Sequence, residues 1–166
     1  LPDFARRCVP GFCPTPFHTA YYRTLDAFAK GLVRRLIVSV PPQHGKSLGS
    51  SVLLPAYALG IRPRLRIALA SYNLRLFNRR IQQLIDSAPY AELFPDTRLK
   101  PLHGGTGNKK EAAAPSAAGA GNLVRTAEEF DLAGQSGGLL AVGREGSLTG
   151  NTVDLLILDD LFKDAL

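Results

Sequence analysis

The chain has 166 residues, 45% of them hydrophobic and 20% charged, a balance that fits one soluble globular domain with a real core. Its formal net charge of +6, from 20 Lys+Arg against 14 Asp+Glu, favours polyanionic partners such as nucleic acid, although many basic domains bind none. The charge-free stretch Ser47–Ile61 is too short to cross a bilayer and contains Pro55, and no signal-peptide pattern is present, so no membrane partner is expected.

Residues 1–16 are rich in Pro, Cys and Arg, lack a period, and read as an irregular lead-in. Cys8 and Cys13 stand without a second pair, which makes a poor zinc site; two free thiols in a flexible segment are expected, and with them a cytoplasmic address. The absence of Met makes Leu1 an unnatural start and points to a fragment of a longer protein. From Phe17 to Lys30 apolar residues recur at Phe17, Tyr21, Leu25, Phe28 and Ala29, which is helical spacing, and Gly31 supplies a stop.

Arg34–Val40, "RRLIVSV", is a continuous apolar and β-branched run and predicts a buried strand of a parallel sheet. The loop Pro41–Gly45 follows, then a helix over about 46–59, broken by Gly60 and Pro63. Strand, glycine loop, helix is the order a phosphate-binding (Walker A) loop requires. A triphosphate needs many donors at close range, which successive backbone amides and a helix N-terminus supply. Gly45 lets the backbone approach, Lys46 reaches the β- and γ-phosphates, and the Ser47 hydroxyl completes a Mg²⁺ shell. Pro41 and Pro42 remove two amide donors, so the cradle uses amides from about Gln43 onward, with His44 either a phosphate contact or a structural residue. Val40 stands where the strict pattern has its first glycine.

Arg66–Ser71 is a second strand candidate, and a helix is predicted over about 74–87, with Pro89 ending it. Leu74, Phe77, Ile81, Leu84 and Ile85 share one face of that helix; Arg75, Arg79 and Arg80 form either a solvated face or a DNA contact. Residues 100–122, rich in Gly, Ala and Pro, read as a mobile surface loop. "NLVRTA" and "GGLLAVG" are expected as short strands on either side of a turn at about 134–138, with Glu128 and Glu129 solvated near the turn. Thr152–Asp160, "TVDLLILDD", is a third apolar strand, expected beside the loop strand. Its two terminal acids are either solvated carboxylates at a strand end or the second half of a nucleotide site, in which Asp159 would bind Mg²⁺ through water and Asp160 would orient or deprotonate the attacking water. Asp154 sits at the wrong end of the strand for this work. Arg144 is read either as a stabiliser of developing charge, as a DNA contact, or as an ordinary surface arginine. His18 opens a helix without a visible partner.

Taken in order, "VPPQHGKS", "RIALASYNLRLFNRRIQQLI", "YAELFP", "GGLLAVGREGSLTGNTVDLLILDD" and "FKD" resemble the ATPase domain of the large terminase subunit of tailed bacteriophages and prophages, over about residues 16–164. The resemblance implies an α/β, ASCE-like P-loop NTPase fold, a largely parallel sheet flanked by helices and truncated after the acidic strand. Residues 17–166 would then be an incomplete N-terminal ATPase domain, with the C-terminal nuclease domain lying outside this chain. It also implies a motor that hydrolyses ATP with Mg²⁺ to drive double-stranded DNA into a capsid in the bacterial host cytoplasm, assisted by a small terminase subunit, a portal protein and a homo-oligomeric ring of large subunits. By motif position, Gln43–Ser47 would be the phosphate loop, Asp159 the metal-binding acid and Asp160 the catalytic acid. The "PFHTAYY" segment resembles the region where the adenine docks, with His18 taking part. Two departures stand out: Gln43 fills a place where many members carry arginine, and Asp160 is one methylene shorter than the usual glutamate. The alternatives are a helicase-like ATPase, a small-molecule kinase, or a prophage remnant that binds nucleotide without turnover.

Overall fold

In a computed structural model of the chain, the described residues are 1–100, 124–143, 150 and 152–161. The expected mobile loop from residue 101 onward, the strand reading of residues 122–123, the role of Arg144 and the resemblance carried by "GSLT" and "FKD" therefore fall outside the described residues.

Among the described residues four strands form one sheet: β1 (Arg66–Ser71), β2 (Glu129–Asp131), β3 (Gly138–Val142) and β4 (Leu155–Asp159), in the order β2-β3-β1-β4. β1 pairs in parallel with both β3 and β4, whereas β2 runs antiparallel to β3. The fold is thus α/β with a mixed sheet, and the largely parallel expectation holds for two of its three pairings. A hairpin joins β2 to β3 because only a few residues around Gly134 separate them, too few for a parallel crossover. Glu129 belongs to β2 and lies 3.8 Å from Arg66, and Glu128 pairs with Arg75 at 2.8 Å, so neither acid is simply solvated. Within "NLVRTA" the described residues contribute one isolated bridge, Arg125 to Phe130, and the ladder falls instead on Glu129–Asp131.

Alternation sets the two faces of the sheet. Ile67, Leu69, Leu139, Ala141 and Ile157 enter the core, whereas Leu156 and Leu158, with the opposite parity, are 47% and 62% exposed. The helices α2 (Pro16–Ala29), α3 (Leu54–Ile61), α4 (Leu74–Ile85) and α5 (Ala88–Leu93) supply the rest of that core through Tyr22, Leu25, Leu59, Ile81, Ile85 and Tyr90. A π-helical segment, Leu48–Leu53, leads into α3. No described helix is long and apolar enough to cross a membrane.

Four expectations need correction. Residues 1–16 are not wholly irregular: α1 (Pro2–Cys8) buries Phe4, Ala5 and Cys8. Phe4 packs its ring against Tyr57, Tyr90 and Phe94, so tertiary contact holds a helix too short to stand alone. Cys8 is accordingly a core residue, its thiol pushed up to about 11 by burial against the pull of Arg7, while Cys13 is exposed. Pro89 ends no helix; it sits in the first turn of α5, which Ser87 caps by accepting from the Tyr90 amide. Finally, residues 35–40 form no regular element and join no ladder, and Ile37 is 95% exposed. β4 therefore lies beside β1 and not beside a loop strand.

Candidate nucleotide site

The loop between residues 35–40 and the π turn is shaped by two left-handed residues, Gln43 (φ 63) and Gly45 (φ 73). Gly45 adopts that conformation without penalty, whereas Gln43 carries a cost of about 1 kcal/mol, a small strain of the kind that collects at functional sites. The helical backbone begins at Lys46, and the Gly45 carbonyl accepts from the Gly49 amide at 3.0 Å. Residues 41–44 are exposed, so their backbone is open to a ligand.

The Lys46 carbonyl is held twice. It accepts from the Tyr21 hydroxyl at 2.9 Å and from the Ser50 hydroxyl at 2.9 Å, which ties the loop to α2 and to the next helical turn. Burial raises the pKa of Tyr21 and the nearby Asp159 charge adds to this, so the phenol stays protonated and donating. Neighbouring Tyr22 is pushed up to about 12, chiefly by burial.

The Lys46 ammonium lies 3.3 Å from Asp159 Oδ1. Asp159 is only 4% exposed and closes β4, directly opposite Ser71 at the end of β1. Both residues sit at the carboxyl ends of parallel strands, the edge at which open α/β sheets place ligands. The second oxygen, Oδ2, accepts from the Ser51 hydroxyl at 2.6 Å. Loop, lysine and acid thus converge on one corner of the molecule, together with a cavity of about 110 Å³ lined in part by Leu36, Val38, Lys46, Ser50 and Asp159.

Other candidates occupy the same corner with lesser parts. Ser47 is half-buried, one residue after Lys46, and its side chain makes no capping bond, which leaves the hydroxyl available. His44 holds the Pro42 carbonyl through Nδ1 at 2.8 Å and meets the edge of the Phe17 ring, so it braces the loop. His18 does have a partner: it forms a capping box with Thr15, whose amide donates to Nδ1 at 3.3 Å. That tautomer carries its proton on Nε2, which lies 3.5 Å from where a Cβ on Gly45 would sit. Asp160 is exposed, has φ 50, and accepts from the Tyr72 amide through its carbonyl at 3.0 Å. Asp154 is bound at the far end of β4, where its carboxylate accepts from the Arg66 amide at 2.9 Å.

Among the described residues no cluster of three or more His, Cys, Asp or Glu could hold a metal. Magnesium takes one or two protein oxygens and fills its shell with water and phosphate. Asp159 and Ser47 supply that kind of donor set. Sequence reasoning missed Ser50, Ser51 and Tyr21. The only available signal was spacing: Ser51 follows Ser47 by four residues, one turn along the same helix.

No protein-family model, no curated protein and no solved structure matches the chain.

Proposed function

We propose that the chain is a P-loop ATPase domain of the DNA-packaging terminase type, which uses ATP and Mg²⁺ to move double-stranded DNA in a bacterial host cell. The observation that carries this reading is the 3.3 Å approach of Lys46 to Asp159 beneath a loop with a left-handed Gly45. A lysine that merely sat on a surface turn would have no reason to meet a buried carboxylate at the end of a strand far along the chain.

In this reading the amides from Gln43 onward and the Lys46 ammonium bind the phosphates, with charge-assisted hydrogen bonds. Magnesium, when bound, would supply charge neutralisation for the phosphates. Asp159 and Ser47 are the residues that would hold it. Asp160, exposed beside the site, orients the attacking water and takes its proton. No arginine lies in the loop, so charge stabilisation falls to Arg144 or to an arginine of a neighbouring subunit in a ring. Arg79 and Arg80 are exposed on α4 and give a basic surface for DNA, and the small subunit and portal complete the proposed assembly.

Phosphate release from ATP, followed with and without linear double-stranded DNA, tests the assignment. The expected result is a slow magnesium-dependent release that DNA raises several-fold and that Asp160→Asn abolishes. Transfer of phosphate to a small acceptor, indifferent to DNA, would instead identify a kinase.

A further inference from the structure

The carboxylate of Asp159 has two oxygens in different hands. Oδ1 faces the Lys46 ammonium at 3.3 Å, and Oδ2 accepts from Ser51 at 2.6 Å. Ser51 is fully buried, so its hydroxyl has no water to turn to. The neighbouring Ser50 hydroxyl already donates to the Lys46 carbonyl and stands 3.4 Å from that of Ser51, which leaves Asp159 as the acceptor Ser51 is committed to. Ser51 also lies within the π-helical segment, where the Leu54 amide reaches back five residues to the Gly49 carbonyl. A π turn is wider than an α turn, and such turns recur where a side chain must be placed against something specific.

We propose that Ser51 is a positioning residue: it clamps Oδ2 and so keeps Oδ1 turned toward the metal position. This rests on the nucleotide reading above. When Lys46 swings to the phosphates, Asp159 loses its ammonium, and among the described residues Ser51 is the one that still holds the buried carboxylate. Without the clamp the carboxylate is free to rotate, and each approach of magnesium must first freeze it. Residues that orient a ligating side chain in this way typically contribute 10- to 100-fold to metal affinity.

The test is calorimetric titration of the chain with ATP, in EDTA and across a series of Mg²⁺ concentrations. The readout is the ratio of ATP affinity with Mg²⁺ to that in EDTA. Ser51→Ala is expected to lower this ratio about ten-fold and to raise the Mg²⁺ concentration for half-maximal enhancement to match. In an Asp159→Ala background, adding Ser51→Ala should lower the ratio no further, because the carboxylate that the clamp serves is gone. A purely structural serine would reduce both affinities together and leave the ratio where it was, and that result overturns the proposal. Additive losses in the double variant overturn it too. Should Ser51→Ala fail to fold, Ser51→Cys, close in volume but a poor donor, carries the same expectation. A wild-type chain that binds ATP at no Mg²⁺ concentration overturns the nucleotide reading itself; wild-type magnesium-enhanced binding with an unchanged ratio in the variants overturns the clamp alone.

Discussion

Lys46→Ala is expected to weaken ATP binding by about 100-fold while lowering thermal stability little. The two effects separate because the two ends of the lysine interaction differ. In the free protein the Lys46 side chain is 40% exposed and its ammonium meets one buried carboxylate oxygen. Truncation opens a path for water to Oδ1, and Ser51 still satisfies Oδ2, so the net loss is about 1 kcal/mol. With nucleotide bound, the same ammonium faces two phosphates through charge-assisted bonds of roughly 1.5–3 kcal/mol each. Losing them costs about two decades of affinity, since ~1.4 kcal/mol is ten-fold. Titration of ATP against both proteins, with thermal melts alongside, measures the contrast. A variant that binds as wild type would remove Lys46 from the site.

Gly137→Ala, at the entry to β3, is expected to be strongly destabilising. A Cβ there would fall 2.3 Å from the Pro63 carbonyl oxygen and 2.8 Å from that of Leu65. Both contacts are with backbone, and both carbonyls are in use, accepting from the amides of Gly137 and Gly138 at 3.1 and 3.0 Å. The next residue is equally confined, because a Cβ on Gly138 would lie 2.4 Å from the Phe130 carbonyl oxygen. β3 is thus threaded between β1 and β2 at a point with no room for a side chain, and no rotamer change can relieve the clash. The expected loss is about 3 kcal/mol, or a fall in melting temperature of about 10 °C for a chain of this size. Far-ultraviolet circular dichroism on heating measures it; an unshifted transition would mean that the strand entry is looser than described. The site should suffer as well, because β1 carries β4 and so fixes where Asp159 ends.

The lysine and the acid were legible because each follows a local pattern, a glycine loop before a helix and an apolar run ending in carboxylates. Their meeting was an expectation that only tertiary structure could supply. The same local logic misled at residues 34–40. An apolar β-branched run reads as a buried strand, yet burial of a strand requires partners for its amides, and the described residues offer none to this segment. α1 was illegible for the opposite reason: seven residues carry too little period, and Phe4 becomes helical through the aromatic rings it packs on. Pro89 reads as a stop because proline breaks helix interiors, although it is equally at home in a first turn. Three-residue β2 is shorter than any alternation test can detect. Ser51 could not be assigned from spacing alone, since its role depends on a carboxylate 108 residues away.

In the proposed site the loop amides, Lys46 and Asp159 surround a single magnesium-bound triphosphate. The most direct measurement is a structure of the chain soaked with Mg²⁺ and a non-hydrolysable ATP analogue. The expected result is phosphate density over Gln43–Ser47, the Lys46 ammonium moved from Asp159 onto the terminal phosphates, and the metal between them and Asp159. Nucleotide bound elsewhere on the molecule, with Lys46 and Asp159 still paired, would contradict it.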